Sequence, residues 1–446
     1  MAINNNFTKI ADAQERYTLA PNTVLDTEVS VLEDSVDVRL VDTAVEQIVG
    51  EASSQRALWE TLNSIESLEP QERAIVKRRL GEISLVACAA EQILLDVDNS
   101  DEIRSLEQEL FDYYSPKLYY QAIAAKMRQI EELNLSSDLE YSRAVLLSEL
   151  ESLLPEEGLP ESEDGPTEKT LSVVNEWLLD QFGDIIDEID NDPREKFDAT
   201  TITEYFQKAI DSTSFLKKYG WEAELITRQK SAVSVQAPRR RVVVPTQREM
   251  TKRELRRVTI HEVFGHALRS AMAEEFGIDV GRMGTATYAR FEEAFLIALE
   301  QCLENKHDPI KGSEHYIATG LAVTDGKSRE QVARILEHMS FLIESEKSDQ
   351  KTAKKKALSK TKVYIRRTYP GMTDVDDDVV HRKDIDYYHG LSDSWKLLNF
   401  AVEHDVLDET MRWVLSAKFN PFDIAEREYV NRHVGMPLAL EELLSE

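Results

Sequence analysis

His261-Glu262-Val263-Phe264-Gly265-His266 sets two histidines five residues apart inside a stretch that reads as one helix. A regular α-helix turns about 100° per residue, so position i+4 falls roughly 40° past a full turn and i+5 roughly 140° past it. Two imidazoles at that spacing point apart unless the helix takes in an extra residue, as a π-bulge does. The chain must therefore either distort this helix or leave the two histidines unrelated.

The flanking residues argue for a helix. Thr251-Lys252-Arg253-Glu254 fits a capping box, with Thr251 at the N-cap and Glu254 at N3. Leu255, Val258, Ile260, Val263, Leu268, Met272 and Phe276 supply an apolar face, and Gly277 fits a C-terminal stop. Imidazole suits zinc, and a glutamate beside the first histidine is placed to act as a general base. The commoner zinc-peptidase helix carries His-Glu-x-x-His, one residue shorter. Two histidines alone are as well explained by packing as by a metal, so a third ligand decides. Residues 289–303 form an otherwise apolar helix interrupted by Glu292 and Glu293, 27 residues after His266. Carboxylates there are costly unless exposed or paired, and a metal compensates one of them. A His-His-Glu set with one open position is a catalytic zinc pattern, not a closed structural one.

Four separated stretches resemble the tyrosine carboxypeptidase family of zinc peptidases, whose members include enzymes that remove the C-terminal tyrosine of α-tubulin. Residues 221–245 are similar to that family's short strands before the zinc helix. His261 to Arg269 match His-Glu-x-x-x-His-x-x-Arg, and Glu292-Glu293-Ala294 match a Glu-Glu-Gly or Gln-Glu-Gly segment. Lys383 to Gly390 match Lys-Asp-x-x-Tyr-x-x-Gly, while Arg366, Arg367 and Gly371 stand where the family has an Arg-Gly element. The resemblance covers about residues 200–400. Ala294 replaces the usual glycine, and Phe264-Gly265 replaces Gly-Thr, which puts a bulky ring near the expected metal. Dipeptidyl peptidase III shares the histidine spacing but is much longer, and the Lys-Asp-x-x-Tyr-x-x-Gly element points away from it.

The resemblance implies a metal-ligand set of His261, His266 and Glu293 for Zn2+, with Glu262 as the base. Glu292 would hydrogen-bond a ligand histidine and fix its tautomer. Arg269, Lys383, Arg366 and Arg367 become candidates for a substrate α-carboxylate, because a guanidinium fork suits one. Tyr387 would donate a hydrogen bond to a developing oxyanion. The activity implied is that of a carboxypeptidase taking a C-terminal residue, such as Tyr or Phe, from a peptide or protein tail. The rivals are a zinc aminopeptidase or dipeptidyl peptidase, and a catalytically silent zinc-containing binding protein; retention of Glu262 counts against the last.

Composition frames the site. The chain has 446 residues, room for two or three domains. Its formal net charge is −30, with 44 acids against 16 bases in residues 1–200 and near balance afterwards. That acidity, with no recognisable binding module, argues against nucleic acid. Two cysteines, Cys88 and Cys302, argue for a reducing compartment. The N-terminus lacks signal-peptide character, and no apolar run reaches the ~20 residues of a membrane span, so the expected location is cytoplasmic and off the membrane. The basic runs at Arg239-Arg240-Arg241 and 351–362 read as solvated faces, and Asp374 to Asp378 as a solvated loop. The expected layout is a weakly structured 1–35, an acidic helical region 36–154, a linker 155–170 and a metallopeptidase domain 171–446. The fold class expected is mostly α with a small antiparallel sheet (α+β), a zincin-like core behind an N-terminal helical region.

Overall fold

The computed structural model describes residues 38–445 apart from 67, 69, 96–97, 112–113, 156–164, 228–231, 279 and 370–378. The stretch 1–35, most of the linker, Gly371 and Asp374 to Asp378 lie outside the described residues.

Helices dominate. The N-terminal part consists of α1 (Val38–Asn63), α2 (Pro70–Leu95), α3 (Ser100–Leu110), α4 (Pro116–Glu131) and α5 (Glu140–Glu151). Ser115 caps α4 and Pro116 occupies its first turn, where a missing N–H costs nothing. After the linker, α6 (Glu168–Asn191) starts at the capping residue Thr167. Next come β1 (Lys196–Phe197), α7 (Ala199–Ser212), α8 (Ser214–Lys218), β2 (Glu222–Ile226), β3 (Ser234–Gln236), β4 (Arg241–Pro245) and β5 (Met250–Thr251).

The sheet has order β2-β4-β3. Its β3–β4 pair is antiparallel, as is the short β1–β5 pair, but β2 joins β4 in parallel, Glu222 opposite Arg241. The expectation of an antiparallel sheet thus holds for two of the three pairings. The arginines of the basic run are held locally: Arg239 by Glu224, Arg240 by Glu274 and Arg241 by Glu222, at 2.8–3.2 Å.

Beyond the sheet lie α9 (Lys252–Val258), a π-helix (Thr259–Ala267) and α10 (Leu268–Glu275). They are followed by α11 (Tyr288–Leu303), α12 (Ser313–Val323), α13 (Arg329–Ser345), α14 (Gln350–Thr368) and α15 (Asp386–Glu403). The chain closes with α16 (Leu407–Leu415), α17 (Ile424–Asn431) and α18 (Leu440–Leu444).

The acidic helices share one continuous hydrophobic core with the rest of the chain. Polar ties cross between them. Lys126 of α4, 1% exposed, reaches Glu314 of α12 at 2.9 Å. Buried Glu107 of α3 accepts from the backbone N–H of Arg382 at 2.8 Å and pairs with His381.

Helix α11 packs closely against α15, and Gly390 makes that approach possible. A Cβ at Gly390 would stand 2.0 Å from the carbonyl oxygen of Arg290 and 2.9 Å from Cβ of Ala294. Backbone cannot yield as a side-chain tip can, so Gly390→Ala should push the helices apart. The expected loss is about 1–3 kcal/mol of unfolding free energy or more, read from urea denaturation. An unchanged midpoint would mean that the contact is not tight.

Candidate metal centre

The irregular helix that the histidine spacing demands is present. The capping box forms as expected, with Thr251 and Glu254 bonding reciprocally, and α9 then widens into the nine-residue π-helix. Two hydroxyls serve carbonyls near its ends. Thr259 donates to the carbonyl of Leu255 at 2.7 Å, and Ser270 to that of His266 at 3.1 Å. Such back-bonding competes with the regular ladder and favours a local bend or bulge. Gly265 lets Leu296 of α11 lie against the π-helix backbone; a Cβ there would meet it at 2.5 Å.

The wider turn brings the two rings to one side, with centroids 5.0 Å apart. Glu293 of α11 faces both: one oxygen lies 3.5 Å from Nε2 of His261, the other 3.4 Å from Nε2 of His266. Ligand atoms of all three residues fall within 4.8 Å of one another. Two donors bound to one tetrahedral zinc, each about 2.1 Å from it, stand roughly 3.4 Å apart. The nitrogen-nitrogen-oxygen set suits a divalent metal in its chemistry, and each imidazole lies about that far from one of the two Glu293 oxygens.

Each imidazole is oriented from behind. Nδ1 of His266 faces Glu292 at 3.3 Å, the outer role expected of that residue. Nδ1 of His261 meets Glu300 at 2.9 Å, and Arg257 donates to Glu300 through Nε at 3.0 Å. Glu300 was not singled out in the sequence, although it lies two helical turns after Glu293 on the same apolar helix. Fixing the outer nitrogen sets which nitrogen can bind a metal.

The electrostatics favour a cation at this spot. Burial works against charge on Glu293, yet His266 and His261 hold its carboxyl well below the usual range. Burial likewise opposes charge on Glu292, but Lys418, His266 and Arg269 hold it down to about 2. His266, opposed by burial and favoured by Glu292 and Glu293, is pushed up to about 9. Such carboxylates ask for positive charge between them, which an imidazolium or a divalent ion supplies. Glu262 differs: burial raises its carboxyl, in keeping with a group that takes up a proton.

Not every expected residue sits where expected. Arg269 is fully buried, 0% exposed, and its Nε and Nη2 donate to the carbonyls of Ala417 and Phe419 at 2.9 and 3.2 Å. Its Nη1 lies 3.5 Å from Glu292. A guanidinium closed off in this way supports Glu292 and does not meet a substrate carboxylate, which corrects that expectation. Lys418, unforeseen, stands 3.6 Å from the same Glu292 oxygen and is 7% exposed. Phe264, the bulky ring set between the two histidines in sequence, is buried and stacks on Phe182 of α6 at 4.0 Å.

Tyr387 is half-buried near the centre; the charge of Glu293, then burial, raises its phenol. Arg367 bonds to Tyr387 and grips Asp384 with two contacts of 2.7 Å. Lys383 and Arg366 are half-buried nearby in sequence, but among the described contacts neither reaches the His-His-Glu set. In comparisons with known proteins, no family model matches the chain, and no curated protein or solved structure matches it.

The inner and outer carboxylates give graded expectations. Glu293→Gln should remove most zinc affinity in a chelator competition. Glu300→Gln should lower it about 10–100-fold, as loss of an outer partner does. Full affinity in Glu293→Gln would overturn the ligand assignment.

Proposed function

We propose that the chain is a zinc-dependent metallopeptidase of zincin-like layout, acting as a carboxypeptidase. The observation that carries this reading is the convergence of His261, His266 and Glu293, with Glu262 presented by the same π-helix. A closed structural site has no use for a buried base held ready beside it.

Zinc bound there would polarise the scissile carbonyl and make water acidic enough to ionise near neutral pH. Glu262 takes the proton from the attacking water and passes it to the leaving amine. Its burial suits it to both halves, because a raised carboxyl pKa brings accepting and donating closer to balance. Tyr387 donates its O–H to the oxygen that gains charge at the carbonyl carbon. Glu292 and Glu300 hold the imidazoles in register, and Arg269 and Lys418 keep Glu292 ionised.

Preference for a C-terminal residue rests on Arg367. It is half-buried beside Tyr387, and its fork is already set by Asp384. A substrate carboxylate approaching Tyr387 meets this guanidinium first. The short edge strand β3 runs against the π-helix and offers backbone groups to an extended peptide.

The test is a mixed peptide library with free and amidated C-termini, incubated with zinc-loaded protein and read by mass spectrometry. Loss of single residues from the free acids alone is the expected result. Trimming from the N-terminus would replace this reading with that of an aminopeptidase. Glu262→Gln should retain zinc while turnover falls about 10²–10⁴-fold. Retained turnover in that variant would remove Glu262 from the chemistry.

A further inference from the structure

A cavity of about 690 Å³ opens behind the His-His-Glu cluster, on the side of Glu300, where α4 meets α9, α11 and the loop after α11. None of His261, Glu262, His266 or Glu293 lines it. Its size is that of a site for a small molecule rather than a gap between side chains.

Charge is arranged unevenly around it. Two of its acids are already engaged: Glu300 by Arg257, and Glu304 by Arg253 at 2.6 Å. Four further cations line the cavity, from three separate segments of the chain. Arg128 comes from α4, Lys306 and Lys311 from the loop, and Lys347 from just past the end of α13. Among the described residues no ion pair engages any of these four, and only Glu132 and Asp308 remain on the acidic side. A concentration of unengaged positive charge is notable on a chain whose net charge is −30.

The floor supplies an independent sign. Gln301 is 7% exposed and lines the cavity. Its Oε1 accepts from the backbone N–H of Asp308 at 2.7 Å, which fixes which end of the amide is which. Its Nε2 is buried with no hydrogen-bond partner. A buried N–H pair left unmet costs about 1–3 kcal/mol, so it is expected to meet an acceptor. Four cations spread over such a volume exceed what one carboxylate would use.

We propose that this cavity is a second ligand site, distinct from the His-His-Glu centre. Its ligand is a small polyanion, a compound carrying two or more phosphate or carboxylate groups. Gln301 Nε2 donates to it from the floor, and Arg128, Lys306, Lys311 and Lys347 neutralise it from the walls. The site does not depend on the peptidase reading, since none of its four cations nor Gln301 belongs to the metal set.

The experiment is titration calorimetry on the full chain, stripped of metal and dialysed free of chelator. Pyrophosphate and citrate serve as separate probes, so that the phosphate and carboxylate sources are told apart. Binding of at least one, weakening as salt is raised, is expected. Gln301→Glu keeps the acceptor for Asp308 but replaces the donors with charge, and should weaken binding at least tenfold. The paired variant Lys306→Ala with Lys311→Ala alters only loop side chains, and should weaken it similarly with an unchanged melting temperature. Binding of neither probe would overturn the proposal, as would equal binding by both variants. Binding of a hexaglutamate peptide but of neither small anion would overturn it too, showing a surface for acidic chain.

Discussion

The structure turns on a helix that abandons its own period for nine residues. With regular geometry His261 and His266 would face different neighbours, and Glu293 could approach only one of them. The widened turn costs regular backbone hydrogen bonding. That cost is met locally by Thr259 and Ser270 and by the packing of Leu296 over Gly265. Everything that acts at the centre depends on this distortion: the convergence of ligand atoms, the position of Glu262 between the histidines, and the access of Glu292 and Glu300 to the outer nitrogens.

Around that centre lies an unusual density of buried charge. Isolated, any one of these groups would be expensive to remove from water. They are tolerable because they alternate in sign: Arg257, Glu300, His261 and Glu293 on one side, Lys418, Arg269, Glu292 and His266 on the other. The same alternation leaves the carboxylates and imidazoles of the cluster grouped where a cation is favoured, so stabilising the fold and preparing the site are one arrangement. Removing a single partner leaves its neighbour uncompensated, and effects of substitution here should not add.

Much of this was legible in the residues. The capping box at Thr251 and Glu254 set the start of the histidine-bearing helix, and the five-residue spacing set its irregularity. The short strands expected within residues 221–245 appear there as β2, β3 and β4, although strand direction within the sheet depends on connections that a local pattern does not encode. Glu292 and Glu293 stood out because they interrupt an apolar helix. Glu300 interrupts the same helix and could have been noticed by counting two turns from Glu293. Gly390 matched a pattern in the chain, but its reason, a helix crossing tight enough to bring it against the Arg290 carbonyl, is visible only in three dimensions.

By itself the sequence determined the spacing of the two histidines, the capped helix that carries them and the need for a bulge, because these follow from local spacing and capping. The tertiary structure alone decided what each cation serves. Arg269 lies three residues from His266 and looked available to a substrate. It is instead closed over by the segment at Ala417 to Phe419, about 150 positions away in sequence. That segment also delivers Lys418 to Glu292. No local pattern specifies which distant stretch will cover a helix face, since that is settled by how the whole core packs.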